Sequence, residues 1–153
     1  MKIDRTDRAI LHELQLDGRL SNVALAERVN LSESACLRRV RSLEENGVIS
    51  GYAMIVDQAK VGFSTTVFVQ ISLDRQQRED LEKFERAVAD VPEVVECYLM
   101  TGEADFLLRV VAADAADYER IHSTHLTRLP GVTRVHSSFS LRNIVKKTEL
   151  PIR

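Results

Sequence analysis

Residues 31–43 constrain the fold of this chain more than any other stretch, because their pattern fits a short amphipathic helix entered from a tight turn. Ser32 is a suitable N-cap, since its hydroxyl can accept a hydrogen bond from an unpaired N–H of the first helical turn. At about 100° per residue, Cys36, Val40 and Leu43 share one face of the helix. The pattern predicts that this face is buried.

The opposite face of the same helix carries small polar and guanidinium side chains, namely Ser34, Arg38 and Arg41. Arginine can donate two hydrogen bonds to O6 and N7 of guanine, and serine can bond to a base edge or a phosphate. The pattern therefore favours a helix that enters the major groove of DNA. The alternative is an ordinary solvated helix face that happens to carry several arginines.

Two residues at the margins of this face extend the prediction. Ser32 lies at the helix N-terminus, where free N–H groups favour a phosphate contact. Arg39 flanks the buried stripe, so we expect it to reach a phosphate or to pair with an acid such as Glu44 or Glu27. The predicted DNA-binding set is therefore Ser32, Ser34, Arg38, Arg39 and Arg41.

Two further short helices precede this one. Asp4 and Ser21 are suitable N-caps, Asp17 and Gly18 interrupt the first helix, and Gly47 is suited to a left-handed position after the third. Three short helices, the last two joined by a very short turn, are typical of a helix-turn-helix DNA-binding domain. The apolar contacts expected from the first two helices are Ile10, Leu11, Leu14, Val23, Leu25, Ala26 and Val29.

The pattern changes after residue 47. Residues 48–56 look extended, either as a wing beside DNA or as a strand between domains, and residues 57–62 form a polar connector. The rest of the chain alternates strand-like and helix-like periodicity. The predicted elements are strands over 63–73, 94–100, 106–112 and 132–145 and helices over 78–91 and 116–129.

This order predicts an α+β chain, in which a winged helix-turn-helix domain precedes a ferredoxin-like βαββαβ domain. The predicted boundaries are 1–50 for DNA binding, 51–62 for a connecting strand and linker, and 63–153 for effector binding and oligomerisation. Two helices cover only one face of such a sheet. We therefore expect a partner subunit to bury the other face.

The net charge of the chain neither supports nor excludes DNA binding. The chain of 153 residues has a formal net charge of -2, and residues 1–56 contain eight Lys and Arg against eight Asp and Glu. Any basic surface must therefore arise from the arrangement of these residues, because a local patch provides the electrostatic contact. Weak affinity per copy follows, which favours several copies on the DNA.

The sequence offers little for catalysis, metal binding or membrane insertion. Cys36 and Cys97 do not form a disulfide or zinc pattern, and Cys97 has no activating neighbour. His122 and His125 have helical metal-ligand spacing, but no cysteine or acidic residue completes a set. We expect no enzyme activity, no metal and no cofactor. With no membrane span and no signal peptide in the sequence, we expect a soluble cytoplasmic protein.

Several segments together are similar to the Lrp/AsnC family of regulators, named after the leucine-responsive regulatory protein. The resemblance rests on both halves of the chain, in order, and covers nearly all of it. In the first half it is carried by residues 3–11, 31–40 and 43–52, and in the second by residues 91–94, 99–110 and 129–132.

The resemblance implies a bacterial or archaeal transcription regulator that binds double-stranded DNA. Family members dimerise and often assemble into octamers or discs, and many bind a small amino acid between dimers. On this basis we expect DNA binding or assembly to respond to an amino acid, with control of amino-acid metabolism genes. The alternative function is an oligomeric amino-acid-binding module whose helix-turn-helix contacts proteins.

The resemblance also points to an effector site at residues 101–105, which match the family's ligand loop. Gly102 allows close approach to the backbone, turn N–H groups suit a carboxylate, and Asp105 suits an ammonium group. The simpler alternative is a hairpin turn that binds nothing. Two serines of the last strand are expected to complete the pocket from a neighbouring dimer. The predicted effector residues are Tyr98, Met100, Thr101, Gly102, Asp105, Ser137 and Ser138.

Overall fold

The structure is a computed structural model that describes residues 2–153. Contacts divide the chain into two compact units. The first, called here the helical unit, comprises the residues up to Ile55 together with Ile144–Arg153, and the second, the sheet unit, comprises Val56–Asn143. The final segment of the chain therefore packs with the helical unit. The functional boundaries predicted at 50 and 62 stay predictions.

Three helices form the helical unit, as predicted: α1 spans Arg5–Leu16, α2 spans Asn22–Arg28 and α3 spans Glu33–Glu45. Each begins at the predicted cap. The side chains of Asp4, Ser21 and Ser32 accept hydrogen bonds from backbone N–H groups in the first turn of their helices. Local hydrogen bonding therefore sets where all three helices start.

The predicted apolar stripes meet in one core. Val23 is the exception, since its side chain is 47% exposed on the outer side of α2. Gly47 has a φ of +69°, a left-handed conformation that favours glycine, and it follows the C-cap of α3 as predicted. The buried residues of this core are Ile10, Leu11, Leu25, Ala26, Cys36 and Leu43.

Residues 48–56 form neither the predicted wing strand nor a connecting strand with any part of the chain from 2 to 153. The segment carries exposed apolar side chains, including Met54 at 87% and Ile55 at 71% exposure. A turn follows, in which the carboxylate of Asp57 accepts hydrogen bonds from the N–H groups of Ala59 and Lys60. The apolar residues of this segment give it the sequence pattern of a strand. A strand also needs a neighbouring strand to pair with, and none lies beside it among residues 2–153.

The sheet unit has the predicted ferredoxin-like order. Its four strands are antiparallel to their neighbours and are arranged β2-β3-β1-β4. The central strand β1 thus pairs with both β3 and β4, while β2 and β4 form the two edges. The elements are β1 Thr65–Leu73, α4 Arg78–Ala89, β2 Val94–Leu99, β3 Phe106–Ala112, α5 Ala115–Thr124, a 3-10 turn Leu126–Arg128 and β4 Val132–Phe139.

Most elements agree with the predicted bounds to within two residues, but two end well before their predicted limits. Helix α5 ends at Thr124, and the 3-10 turn occupies the rest of its predicted range. Strand β4 ends at Phe139 instead of residue 145. Phe139 lies opposite Val67, near the start of β1. Residues after Phe139 therefore have almost no part of β1 left to pair with.

The core of the sheet unit lies on one face of the sheet. Val67, Val69 and Ile71 of β1 are fully buried on that face. Phe84 of α4 stacks on Phe106 of β3, with ring centroids 4.3 Å apart. Side chains of the other face remain partly exposed, so the helices bury only one side, as predicted.

Replacing Phe84 with alanine should remove the stacked pair at the centre of this core. We expect the sheet unit to lose about 3–5 kcal/mol of unfolding free energy, because the cavity adds to the lost burial. Chemical denaturation followed by circular dichroism measures the loss. Leu141→Ala is the control, since that side chain is 99% exposed. Equal effects of the two changes would contradict the description of this core.

Candidate nucleic-acid interface and ligand loop

The rotation of α3 about its axis is fixed by its buried stripe. Cys36 and Leu43 are fully buried in the core of the helical unit. Burial raises the pKa of the Cys36 thiol, so it packs as a neutral apolar group. Asn22 of α2 also donates a hydrogen bond of 2.8 Å to the carbonyl of Glu33, at the start of α3. That last bond was not predicted.

The face predicted to contact DNA is exposed. Ser34, Arg38 and Arg41 all have exposed side chains. Within residues 2–153, neither Arg38 nor Arg41 forms an ion pair or a side-chain hydrogen bond. The structure therefore presents two uncompensated guanidinium groups and a hydroxyl on one side of a helix.

Arg39 has a different environment from its neighbours. It donates hydrogen bonds of 2.8 Å to both Asp4 and Asp7. The predicted acidic partners, Glu44 and Glu27, were wrong. The nearer of them in sequence, Glu44, instead accepts a hydrogen bond of 2.9 Å from the hydroxyl of Tyr52. Arg39 thus joins α3 to the start of α1.

This ion pair is built on the cap of α1. The carboxylates of Asp4 and Asp7 each accept a hydrogen bond from the other residue's backbone N–H, which is a capping box. The bond from the N–H of Asp7, followed by the bond from Arg39, lowers the pKa of Asp4. Asp7 is only 3% exposed, so its carboxylate is hydrogen-bonded by these partners and has little contact with water. The spacing of the two aspartates was the sequence signal for this arrangement.

Ser32 acts first as the cap of α3. Its hydroxyl accepts a hydrogen bond of 3.3 Å from the N–H of Ala35, and it lies 3.4 Å from the hydroxyl of Ser34. The side chain remains exposed. A phosphate contact by Ser32 stays a prediction.

The predicted ligand loop connects β2 and β3 as a tight hairpin. The N–H of Met100 donates a hydrogen bond of 2.8 Å to the carbonyl of Asp105, which closes the loop. Thr101 and Gly102 are exposed at its tip. Gly102 has a φ of +115°, and the space where a side chain would begin is empty to 4 Å. A ligand can therefore approach this backbone closely.

Asp105 holds this loop against the end of β1. Its side chain accepts a hydrogen bond of 2.7 Å from the N–H of Leu73, and its own N–H donates one of 2.9 Å to the carbonyl of Ile71. The residue is only 8% exposed. Sequence reasoning did not find this anchoring role. The predicted contact of Asp105 with an ammonium group is untested and would have to use its remaining lone pairs.

The two serines of β4 point to opposite faces of the sheet, as successive strand residues must. Ser137 lies on the helix side, where its hydroxyl is hydrogen-bonded to the hydroxyl of Tyr118. Ser138 lies opposite Phe68, on the face that the helices leave uncovered. One pocket therefore cannot receive both side chains in the same way. Their roles toward a ligand stay predictions.

The remaining predicted ligand residues lie at the other edge of the sheet. Tyr98 is 51% exposed, and its hydroxyl donates a hydrogen bond of 3.0 Å to Glu96. Met100, at the end of the same hairpin arm, is 43% exposed. Since β2 and β4 are the two edges, Tyr98 and Ser138 are separated by three strand spacings, roughly 14 Å. One copy of the chain does not bring these two groups together.

A groove of about 340 Å³ lies between α4 and β2, and none of the predicted ligand residues lines it. Cys97 contributes to its wall, and burial together with the nearby carboxylate of Glu85 raises the pKa of Cys97 to about 11. The thiol is therefore neutral at physiological pH, which does not suit a nucleophile. The residues lining the groove are Glu85, Val88, Ala89, Val94, Val95, Glu96, Cys97, Leu99 and Phe106.

Two other kinds of site are absent from the part of the chain that the structure describes. Among residues 2–153, no group of three or more His, Cys, Asp or Glu side chains is placed to hold a metal ion. Over the same residues, the helices are too short or too polar to cross a bilayer.

Replacing Arg39 with alanine should destabilise the helical unit, because it removes the ion pair of the buried Asp7 carboxylate. We expect a loss of about 1–2 kcal/mol in unfolding free energy, since a buried acceptor is left short of a partner. Arg41→Ala is the matched control and should cost less than about 0.5 kcal/mol. Thermal unfolding compares the two variants. An Arg39 variant as stable as the Arg41 variant would show that the ion pair contributes little.

Comparison with known proteins agrees with this geometry. Residues 3–50 match the model of a winged helix-turn-helix DNA-binding domain, and residues 66–150 match the Lrp/AsnC ligand binding domain. The Bkd operon transcriptional regulator of Pseudomonas aeruginosa is 41% identical over 151 residues, 99% of each chain. The leucine-responsive regulatory protein of Escherichia coli is 40% identical over 99% of this chain and 92% of its own.

A solved structure is also similar. A transcriptional regulator of Neisseria meningitidis, in complex with L-methionine, superposes with a TM-score of 0.93 at 38% identity and covers 98% of this chain and 97% of its own. The matched families are regulators and not enzymes, in agreement with the sequence. Both halves of the chain match in the expected order. The chain is a member of the Lrp/AsnC family of transcriptional regulators.

Proposed function

We propose that this regulator binds DNA through α3 and that its DNA affinity or assembly responds to a small amino acid. The observation that carries the DNA half is the pair of exposed and unpaired guanidinium groups, Arg38 and Arg41, on one side of α3. The amino-acid half is supported by the ligand-binding family match and by the L-methionine bound to the Neisseria regulator. The leucine-responsive regulatory protein is named for its response to an amino acid, and we extend this to the proposal that the present regulator controls amino-acid metabolism genes.

In this proposed function each of the three segments has its own role. Residues 1–50 bind double-stranded DNA, residues 51–62 connect, and residues 63–153 bind the effector and mediate assembly, in the cytoplasm. Ser34, Arg38 and Arg41 contact base edges or phosphates in the major groove. Ser32 adds a phosphate contact at the N-terminus of α3. Arg39 contributes mainly through its ion pair with Asp4 and Asp7, which joins α3 to α1. The exposed part of its side chain can also contact a phosphate.

Assembly follows from the uncovered face of the sheet. Phe68 is 41% exposed at the centre of this face, on the central strand β1. Arg109 and Glu96 form an ion pair of 2.8 Å on the same face, which neutralises both charges. An apolar residue beside a neutralised pair suits burial against another protein surface. We propose that a second copy covers this face and that the dimers assemble further, to an octamer.

The ligand site depends on that assembly. The loop around Gly102 supplies exposed backbone, and Tyr98 and Met100 flank it. Ser138 lies at the opposite edge of its own sheet, so only another copy can bring a Ser138 hydroxyl to the loop. We propose that a zwitterionic amino acid binds there, with its carboxylate on N–H groups of the loop. Ligand affinity would then depend on how two copies pack together.

The first test concerns DNA. Arg38→Ala should weaken binding to the upstream region of the protein's own gene by about 10- to 100-fold, if Arg38 reads a base edge. Non-specific DNA should then be bound almost as before. If Arg38 contacts a phosphate, both DNAs should weaken equally and the salt dependence should decrease by about one unit of slope. Fluorescence anisotropy at several salt concentrations distinguishes these results.

Arg78→Ala is the matched control for this test, because it removes the same charge from the sheet unit, where Arg78 is 91% exposed. It should leave DNA affinity nearly unchanged. Unchanged binding by the Arg38 variant would contradict the proposed orientation of α3. A wild-type protein that gives no salt-sensitive shift on DNA would instead favour the alternative, an amino-acid-binding module whose helix-turn-helix contacts proteins.

The second test concerns the ligand. L-methionine and L-leucine should each be titrated into the wild-type protein by calorimetry, with Asp105→Asn compared in parallel. The asparagine removes the charge but keeps an oxygen that can accept from the N–H of Leu73. If Asp105 binds the ammonium group, affinity should fall about tenfold or more while the Tm changes little.

Asp105→Ala is the structural control for the ligand test. It leaves the N–H of Leu73 without its acceptor and should cost about 1–3 kcal/mol of stability. If Asp105→Asn binds as tightly as the wild type, Asp105 acts only as the anchor of the loop. If the wild-type protein binds neither amino acid, these two are not effectors of this regulator.

A further inference from the structure

The chain returns to the helical unit after its last strand. Strand β4 ends at Phe139, and residues 144–153 pack with α1 and its neighbours in the helical unit. This segment has no regular secondary structure and carries mostly exposed side chains. It nevertheless makes specific contacts at two residues, Leu150 and Ile152, which together define a docking site.

The first contact is made by a side-chain amide. The Oε1 atom of Gln15 accepts a hydrogen bond of 2.6 Å from the N–H of Leu150, and its Nε2 atom donates one of 3.2 Å to the Leu150 carbonyl. The amide therefore pairs with both backbone groups of one residue, as a neighbouring strand would. The side chain of Leu150 takes little part, since it is 72% exposed.

The second contact is made by an apolar side chain. Ile152 is partly buried and packs against the core cluster of the helical unit, as Leu14 and Leu20 do. The N–H of Ile152 bonds at 2.9 Å to the carbonyl of Leu150, so the chain turns at Pro151. Proline restricts the backbone and lowers the entropy lost when the segment docks.

We propose that residues 150–152 form a latch, an intramolecular peptide ligand that binds α1 through Gln15 and the apolar core. The latch ties the end of β4 to the helical unit. Helix α1 also carries Asp7, which holds Arg39 of α3, so a docked latch orders the helix that presents Arg38 and Arg41. This consequence for DNA binding rests on the proposed function, whereas the docking itself does not.

The test is Gln15→Met in the full chain. Methionine has similar length and keeps apolar packing, but it can make neither hydrogen bond to Leu150. Hydrogen exchange should show protection at Leu150 falling about tenfold or more, with faster exchange in the last turn of α1. Exchange in β1 and β3 should not change. Unchanged protection at Leu150 would overturn the latch.

Two further variants separate the latch from general loosening. Leu150→Ala should dock normally, because Leu150 is recognised through its backbone, whereas Ile152→Ser should release the segment like Gln15→Met. If Leu150→Ala and Ile152→Ser behave alike, the segment is not recognised in the proposed way. Gln58→Met is the matched control in the sheet unit, where the Gln58 amide donates to the Phe63 carbonyl and to Thr66. It should leave Leu150 protected.

The effect on DNA is measured with the same variants. Gln15→Met should weaken binding to the upstream DNA by about three- to tenfold. Without the docked latch, α1 and α3 are more mobile in the free protein, so DNA binding has to pay a larger loss of conformational entropy. Gln58→Met should not weaken binding. If hydrogen exchange shows that the latch is released but the DNA affinity is unchanged, the proposed effect of the latch on α3 is wrong. The docking of residues 150–152 on α1 would then stand without a role in DNA binding. A wild-type protein that does not bind the DNA would overturn the proposed function, and hydrogen exchange would still decide the docking.

Discussion

Alternation along β1 is the constraint on which the sheet unit depends. Successive side chains of a strand point to opposite faces, so Val67, Val69 and Ile71 lie beneath the two helices while Phe68 and Gln70 face the other way. Within residues 56–143 no further helix is left to cover that second face. In the proposed function a second copy covers it, and a copy from a neighbouring dimer completes a ligand site whose parts lie at opposite edges of one sheet. Ligand binding then depends on assembly beyond the dimer.

The corresponding constraint in the helical unit is the rotation of α3. Its apolar stripe is buried against α1 and α2, and Arg39 is held by Asp4 and Asp7. Arg38 and Arg39 are neighbours in sequence, but about 100° of rotation separates them on the helix. One therefore belongs to the internal structure and the other to the exposed face. The chemistry of a guanidinium group alone does not distinguish these roles.

The proposed latch gives the two units a second connection besides residues 51–62. Through it, the strand that carries Ser138 continues to Leu150, Leu150 bonds to Gln15 of α1, and Asp7 of α1 holds Arg39 of α3. Energetic coupling between distant sites requires an element with two states, and in the proposal the docked and the released latch are those two states. A ligand that altered the end of β4 would thus have a physical route to the DNA-binding helix.

The sequence by itself determined the helix caps at Asp4, Ser21 and Ser32, the order of strands and helices, and the exposed row of α3. These features depend on residues within a few positions of one another, so local periodicity and hydrogen bonding are sufficient to predict them. Only the tertiary structure decided the partners of Arg39, the end of β4, the bond between Ser137 and Tyr118 and the docking of Leu150 on Gln15. Each of these joins residues distant in sequence, and only the folded chain brings them within bonding distance.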